Sequence, residues 1–371
     1  MESLWIVVPV GSREVYLENL VEKLSPFKNR IVFVNNKRGY KKFDSVHHIE
    51  DFGEIGIYRW WNKGIEYAKS NGARYVAVLN DDIDFDSGFI GELYGYLVKK
   101  KLAIVDSDNS GNGGGAAWMM DLSYGLLANE HFKWWYGDTE LFDRAKKIDK
   151  FARVVPTSYF VHHEPDQMMK ESKHLTSLSL EDAHFYNRLN DINAIYKNYS
   201  AGFGSGGGDK GTAHDYLGTY AKYLSKRNDI DFLEIGVFRG DSIKMWNEYF
   251  SNSSVIGIDI SLDMVSYPEL NNVFICDATS KESIDAVIGD RNFDYIIDDG
   301  SHAVQDQINT FDLLFSKIKN DGIYFIEDIL GDECLNSLKI HIEDKCLRFE
   351  VFDTRRPDTT DNDLILAVFK D

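Results

Sequence analysis

Two short stretches of this chain end in acids that could act together on a substrate. Phe293-Asp294-Tyr295-Ile296-Ile297-Asp298-Asp299 reads as a buried strand closing on two carboxylates, followed at once by Gly300-Ser301-His302. Gly322-Ile323-Tyr324-Phe325-Ile326 closes in the same way on Glu327-Asp328. Between them, Val304 to Ile318 carries apolar residues at helical spacing, so the two strands form one crossover unit and both acid pairs leave the same sheet edge. Neighbouring strands lie ~4.8 Å apart, so Asp299, Glu327 and Asp328 can share one divalent cation, whereas three carboxylates converging without a metal would repel one another. His302, three residues past Asp299, reaches the same small volume.

The elements that must position such a site begin upstream. Asp231-Phe232-Leu233-Glu234-Ile235-Gly236-Val237-Phe238-Arg239-Gly240-Asp241-Ser242 reads as strand, tight turn and helix start, with Ile243 to Phe250 continuing the helix. Glycine suits a turn where a cofactor lies against bare backbone. A lone Gly-x-x-x-Gly is also an ordinary strand-to-helix turn, and the sequence downstream decides between the two. Val255-Ile256-Gly257-Ile258-Asp259 is a second buried strand ending in an acid, placed where a carboxylate would grip a ribose diol, and Val273-Phe274-Ile275-Cys276-Asp277 repeats the pattern. The tail segments Phe349 to Phe352 and Leu364 to Phe369 read as an antiparallel pair closing the sheet.

A separate set of acids lies nearer the N-terminus. Leu4 to Val10 and Arg30 to Asn36 read as strands flanking a helix from Glu14 to Leu24, and Ile57 to Ser70 is a helix by its apolar spacing. Tyr75-Val76-Ala77-Val78-Leu79 is then a buried strand running into Asn80-Asp81-Asp82-Ile83-Asp84. Such alternation implies a mainly parallel sheet with its sites at the strand C-termini. Clustered carboxylates there suit a divalent cation neutralising a diphosphate, and suit a solvated acidic turn equally well.

A chain of 371 residues exceeds one typical core, so two domains are expected. Hydrophobic residues at 43% and aromatic residues at 13% supply two cores, and no apolar run reaches the length of a membrane span. Met1-Glu2-Ser3 lacks a basic leader, and the apolar run after it is interrupted at Pro9. Cys276, Cys334 and Cys346 show no metal-ligand spacing and fit a reduced, cytoplasmic chain. A net charge of -19 argues against nucleic acid as a general partner. The apolar pattern fades between Leu189 and Tyr199, and Ala201-Gly202-Phe203-Gly204-Ser205-Gly206-Gly207-Gly208 is glycine-rich enough for a hinge. The expected division is therefore residues 1–198 and 199–371.

The N-terminal domain resembles family 2 glycosyltransferases of the GT-A fold. The likeness rests on Asn62-Lys63-Gly64-Ile65 before the strand, on Asn80-Asp81-Asp82 after it, on Gly113-Gly114-Gly115-Ala116-Ala117-Trp118-Met119-Met120, and on Trp134-Trp135-Tyr136-Gly137-Asp138-Thr139-Glu140-Leu141-Phe142-Asp143-Arg144. The last resembles that family's Glu-Asp-x-Asp-Leu-x-x-Arg helix start, with Gly137 and Glu140 departing from it. The resemblance implies Asp138 as catalytic base of an inverting sugar transfer. It implies Asp82, with Asp84 and one of His162 or His163, as ligands of Mn2+ or Mg2+. Pro9, Gly11, Arg13, Asn35, Asn62 and Asp81 would border the nucleotide-sugar donor.

The C-terminal domain resembles metal-dependent, S-adenosylmethionine-dependent sugar O-methyltransferases of the macrocin type, a Rossmann-like class I fold. Its opening Asp209-Lys210-Gly211-Thr212-Ala213-His214-Asp215-Tyr216 and the acid-ended strands carry the likeness. It implies Asp299, Glu327 and Asp328 as Mg2+ ligands and His302 as base. Glu234 and Gly236 would form the cofactor loop, Asp259 would meet the ribose and Asp277 the adenine, with Arg239, Gly240, Ser242 and Asp298 beside them. The function expected is a bifunctional enzyme of polysaccharide or other glycan assembly, using a nucleotide-sugar donor and a glycan or glycosylated acceptor. Two alternatives stay open: a methyltransferase whose N-terminal domain only binds glycan or nucleotide, and a tailoring enzyme of a glycosylated small molecule.

Overall fold

The computed structural model describes residues 3–11, 14–36, 41–107, 115–163, 172–199, 209–211, 214–225, 227–355 and 363–370. Arg13, Gly113, Gly114, Thr212, Ala213 and the glycine-rich stretch 201–208 lie outside them. The chain divides into two units, Met1–Tyr186 and Asn187–Asp371.

In the first unit, β1 (Leu4–Val10) is buried along its whole length because both of its faces are covered, which is why it reads as an unbroken apolar run. Helix α1 (Glu14–Lys23) leads to β2 (Ile31–Asn35) and β3 (His47–Glu50), then α2 (Ile57–Ser70) to β4 (Tyr75–Leu79). After β5 (Ile83–Phe85) come α3 (Phe89–Lys100), β6 (Ile104–Ser107), β7 (Ala117–Asp121), α4 (Gly137–Lys147), β8 (Phe151–Val154), β9 (Phe160–His162) and α5 (Lys173–Tyr196). Seven strands order as β3-β2-β1-β4-β7-β6-β8. Strand β7 runs antiparallel to both β4 and β6, and β5 pairs antiparallel with β9 in a small separate sheet. Helix α2 presses on β1 through Gly64, where a Cβ would stand 2.4 Å from Val7 Cγ1, so only glycine allows this approach.

The Asn62 carboxamide of α2 is expended on structure. It donates to Ala128 O (2.8 Å) and Glu130 Oε1 (2.9 Å) and accepts from Ala128 N (3.0 Å), so its expected place beside a donor is corrected: it pins the 128–130 loop. Asp182 of α5 plays a similar part. Its buried carboxylate accepts the amides of Lys133 (2.9 Å), Trp134 (2.7 Å) and Trp135 (2.7 Å), which fixes the chain just ahead of α4. Asp182→Ala strands those donors together, and we expect the melt to lose at least ~2 kcal/mol of stability, since an unsatisfied buried amide costs about 1–3 kcal/mol. A melting curve unchanged by the substitution would refute this role. Helix α5 also corrects the fading apolar pattern: Leu189, Ile192 and Tyr196 are all buried, at helical spacing, and the helix runs to Tyr196.

In the second unit, α6 (Leu217–Tyr223) precedes β10 (Asp231–Ile235), α7 (Asp241–Tyr249), β11 (Ser254–Asp259), β12 (Val273–Ile275), α8 (Lys281–Val287) and β13 (Phe293–Asp298). Helix α9 (Val304–Leu314), β14 (Ile318–Ile326), α10 (Gly331–Glu343), β15 (Arg348–Asp353) and β16 (Leu364–Phe369) complete it. The order is β12-β11-β10-β13-β14-β16-β15, with β16 antiparallel to both β14 and β15. Strand β14 begins four residues earlier than its apolar run suggests, at Ile318, and α9 correspondingly ends at Leu314. The polar start is held by Lys319, which donates to Asp294 Oδ2 at 2.8 Å and also pairs with Asp231. Strand order reverses beside β10, and the crevice at such a reversal is where open α/β sheets take ligands. Among the described residues no helix is long and apolar enough to cross a membrane.

Candidate active site

At that reversal the chain leaves β10 through Gly236, whose φ is +88° and whose amide donates to Ile258 O at 2.9 Å. A Cβ there would stand 1.9 Å from the carbonyl oxygen of Asp299, so the turn passes directly against the end of β13. Above it opens a cavity of about 610 Å³, lined by Gly236, Arg239, Ser242, Asp259, Asp277, Asp298, Asp299 and His302 among others. Asp259 reaches the wall with both oxygens engaged: Oδ2 accepts Val237 N (2.8 Å) and Phe238 N (3.0 Å), Oδ1 accepts Ser261 N (3.1 Å). Asp277 caps its own turn through Thr279 N at 2.9 Å. Asp298 is buried, and burial pushes its carboxyl up to about 7 while Tyr324 donates to it at 3.0 Å. Gly240 and Glu234 are absent from the wall. Gly240 faces Leu270 instead, and Glu234 points beneath the cavity because strand alternation sends it away from the side that Ile235 presents.

The acids at the ends of β13 and β14 divide their oxygens between two sides. Lys210, 3% exposed, donates to Asp299 Oδ2 and Glu327 Oε2, each at 2.7 Å, and stands 3.3 Å from Glu234 Oε1. Tyr216 donates to Asp328 Oδ1 at 2.5 Å. The other oxygens, Asp299 Oδ1 and Asp328 Oδ2, lie 3.7 and 3.6 Å from His302 Nε2. One ligand atom from each of Asp299, His302 and Asp328 fits within 4.8 Å of the others, a spacing a metal ion could fill. Strand alternation would send Glu327 and Asp328 to opposite faces, but Asp328 takes φ +51°, a left-handed conformation that a non-glycine residue keeps only where its surroundings fix it.

Of the expected trio, Asp299 and Asp328 share the metal-sized group with His302 and Glu327 does not: Glu327 Oε2 belongs to Lys210, and its buried Oε1 has no hydrogen-bond partner. A buried carboxylate oxygen without a partner is costly, and a cation would relieve that cost. Burial pushes Glu327 up to about 7 against the pull of Lys210. Burial alone would raise Asp299 too, but Lys210 and His302 hold it below the usual range. The facing carboxylate of Asp299, reinforced by the charge of Asp328, raises His302 above ordinary histidine. Sequence reasoning gave no role to Lys210, His214 or Tyr216 and missed Asp363, which bonds to His214 Nδ1 while the His214 ring stacks on Tyr216. Nothing in the sequence around Lys210 marks it, since charged residues such as Asp209 and Asp215 flank it.

The first unit gathers a smaller group. Asp81 Oδ2 accepts Gly11 N at 2.9 Å, tying β4's end to the exit of β1. Asp82 Oδ1 lies 3.0 Å from His162 Nε2, since β5 and β9 pair with Ile83 opposite His162. Asn80 Nδ2 is 3.4 Å from the same nitrogen. Asp84 and His163 do not join them. Asp84 is held instead by Lys23 and Asn19, and the His163 ring stacks on Tyr16 at 4.8 Å. Pro9 lies inside β1, buried opposite Val34, rather than at the strand's exit; Asn35 closes β2 and is buried. Asp138 opens α4, with Oδ1 accepting Thr139 N at 2.8 Å and Oδ2 2.5 Å from where a Cβ on Gly115 would be. Burial raises its carboxyl above the usual range. The glycine at 137 has a cause: a Cβ there would meet the Tyr58 ring at 2.6 Å.

No protein-family model matches the chain. It is 31% identical over 133 residues to 8-demethyl-8-alpha-L-rhamnosyl tetracenomycin-C 2'-O-methyltransferase of Streptomyces olivaceus, covering 33% of this chain and 35% of that protein. It is 31% identical over 128 residues to L-olivosyl-oleandolide 3-O-methyltransferase of Streptomyces antibioticus, covering 32% and 33%. The match spans about a third of the length of these relatives. Among solved structures, MycE methyltransferase from the mycinamycin biosynthetic pathway, in complex with Mg, SAH and mycinamycin VI, aligns over 80% of this chain and 73% of its own at 17% identity and a TM-score of 0.37. S. aureus TarS residues 1–349 align over 52% and 65% at 10% identity and a TM-score of 0.39.

Proposed function

We propose that residues 199–371 form a Rossmann-like class I methyltransferase that transfers a methyl group from S-adenosylmethionine to a sugar hydroxyl of a glycosylated acceptor in the cytoplasm. The observation that carries this reading is the division of oxygens at the ends of β13 and β14: Lys210 and Tyr216 each hold one carboxylate oxygen, and the other oxygens of Asp299 and Asp328 face His302. Both curated relatives described above are named for O-methylation of sugars on small molecules, which supports a sugar as the acceptor.

Gly236 gives the cofactor bare backbone, and the cavity of about 610 Å³ is of the size that small-molecule sites have. Asp299, Asp328 and the free oxygen of Glu327 would hold Mg2+. When bound there it would lower the pKa of a chelated hydroxyl, so the substrate is a vicinal diol. His302 accepts the hydroxyl proton at Nε2, and Asp299 and Asp328 stabilise the imidazolium that results. As the sugar oxygen bonds to the methyl carbon, the carbon–sulfur bond breaks with its electron pair passing to sulfur. No redox partner is needed. Full-length protein incubated with methyl-labelled S-adenosylmethionine should label a rhamnosylated acceptor and leave its aglycone unlabelled. EDTA should stop the reaction and Mg2+ restore it; labelling of the aglycone, or indifference to chelation, would overturn the reading.

For residues 1–198 the Asp82–His162 pair at the end of β4 favours a GT-A glycosyltransferase, with Mn2+ or Mg2+ on that pair, Asp138 as acceptor base, and a nucleotide sugar as donor. These two acids have different tasks. Asp82→Ala should abolish donor binding in a nucleotide-sugar titration, whereas Asp138→Asn should leave it within about threefold and reduce transfer by ~10²–10⁴. Equal loss of donor binding in both variants would remove Asp138 from the base's role.

A further inference from the structure

Lys210 sits where an ammonium is kept only if acids compensate it, because a buried charge without partners is strongly disfavoured. Its compensation comes from three different strands. Asp299 follows β13, Glu327 follows β14, and Glu234 belongs to β10. Asp299 belongs to the metal-sized group, and Glu327 neighbours Asp328 of that group in the chain. Glu234, beneath the cavity, is linked to its wall: its Oε2 accepts the Ser242 hydroxyl at 2.7 Å, and Ser242, in the first turn of α7, lines the cavity. A continuous line of polar contacts therefore runs from Ser242 through Glu234 and Lys210 to the acids beside His302, with Ser242 and Lys210 both at the cavity wall.

We infer that Lys210 is a positioning residue that couples cofactor binding to divalent-cation binding, by holding Glu234, Asp299 and Glu327 on one ammonium. The inference rests on the methyltransferase reading. Each oxygen that Lys210 holds fixes the rotation of its carboxylate, and so decides which oxygen remains for the cation. Partners that orient ligating carboxylates in this way change metal affinity by about 10–100-fold. A ligand that settles Ser242 and Glu234 from the cavity side also settles Lys210, so the cation meets acids already set. Coupling between binding sites is reciprocal, and each ligand tightens the other by the same factor. The second support of this site offers no such route. Tyr216 and His214 hold Asp328 and Asp363, and neither lines the cavity.

The test is a titration of the full chain with Mn2+, followed by electron paramagnetic resonance, with and without saturating S-adenosylhomocysteine. Its neutral sulfur avoids direct repulsion of the metal. In the unaltered protein the Mn2+ Kd should fall about tenfold when S-adenosylhomocysteine is present, within the usual span of such coupling. Lys210→Met should bind Mn2+ about 10–100-fold more weakly, with that ratio reduced to about one. Glu234→Gln provides the second variant, since it leaves Lys210 its two bonds to Asp299 and Glu327. It should keep Mn2+ affinity within about threefold and still lose the ratio. A tenfold ratio that survives Glu234→Gln, or a ratio of one in the unaltered protein, overturns the inference while leaving the methyltransferase reading standing. Failure of the unaltered protein to bind either Mn2+ or S-adenosylhomocysteine overturns both.

Discussion

Alanine at position 302 should lower the rate of methyl transfer by about 10²–10⁴-fold, with S-adenosylhomocysteine affinity left within about twofold. The expectation follows from where the imidazole stands. His302 faces the open oxygens of Asp299 and Asp328 at 3.7 and 3.6 Å, and its side chain is 37% exposed, so it contributes no core packing whose loss would unfold the sheet. Its removal takes away the proton acceptor and one of the three ligand atoms of the metal-sized group. The comparison to make is single-turnover transfer against S-adenosylhomocysteine binding in the same preparation, with a melting curve to show that both proteins are folded. Near-normal transfer by His302→Ala would exclude it as the base.

Gly236→Ala should be the most damaging single methyl group that can be added to the second unit. The added carbon meets Asp299 O at 1.9 Å, Asp299 C at 2.6 Å and Gly300 N at 3.1 Å, all of them backbone atoms. No side chain can rotate to make room, and a φ of +88° is strained for alanine whatever the space. Relief requires that β13's end move, and that end carries Asp299. Expected are a loss of about 3 kcal/mol or more in the melt and no measurable binding of S-adenosylhomocysteine. Cofactor affinity within tenfold of the unaltered chain would show that the turn does not receive the cofactor.

What could be read in the sequence were the strands and their acid ends. Strands β4, β10, β11 and β13 are buried on both faces, so each shows as an apolar run, and the acid that stops the run marks the sheet edge where ligands gather. What stayed hidden were the directions of side chains one or two residues apart. Asp82 and Asp84 look equivalent as letters, yet one meets His162 and the other Lys23. Glu234 and Ile235 divide between the underside and the wall of the cavity in the same way. Lys210 was hidden for a different reason. Nothing near it in sequence explains its burial, because the acids that compensate it arrive from three strands far along the chain. The polar opening of β14 escaped because its partners, Asp231 and Asp294, come from other strands.

The long reach of those contacts bears on how the second unit folds. Lys210 meets Glu327 across 117 positions, and His214 meets Asp363 across 149. Contacts so distant along the chain close large loops, whose entropy must be overcome before the contacts contribute anything, and they characterise slow steps of folding. Helix α7 and its flanking strands can pair locally well before then. The oxygens facing His302 thus take their final directions late, once the β15–β16 hairpin has docked on β14 and brought Asp363 to His214. A refolding chain regains its secondary structure first and its capacity to hold a cation last, so stopped-flow circular dichroism and Mn2+ binding should report different rates on the same molecules.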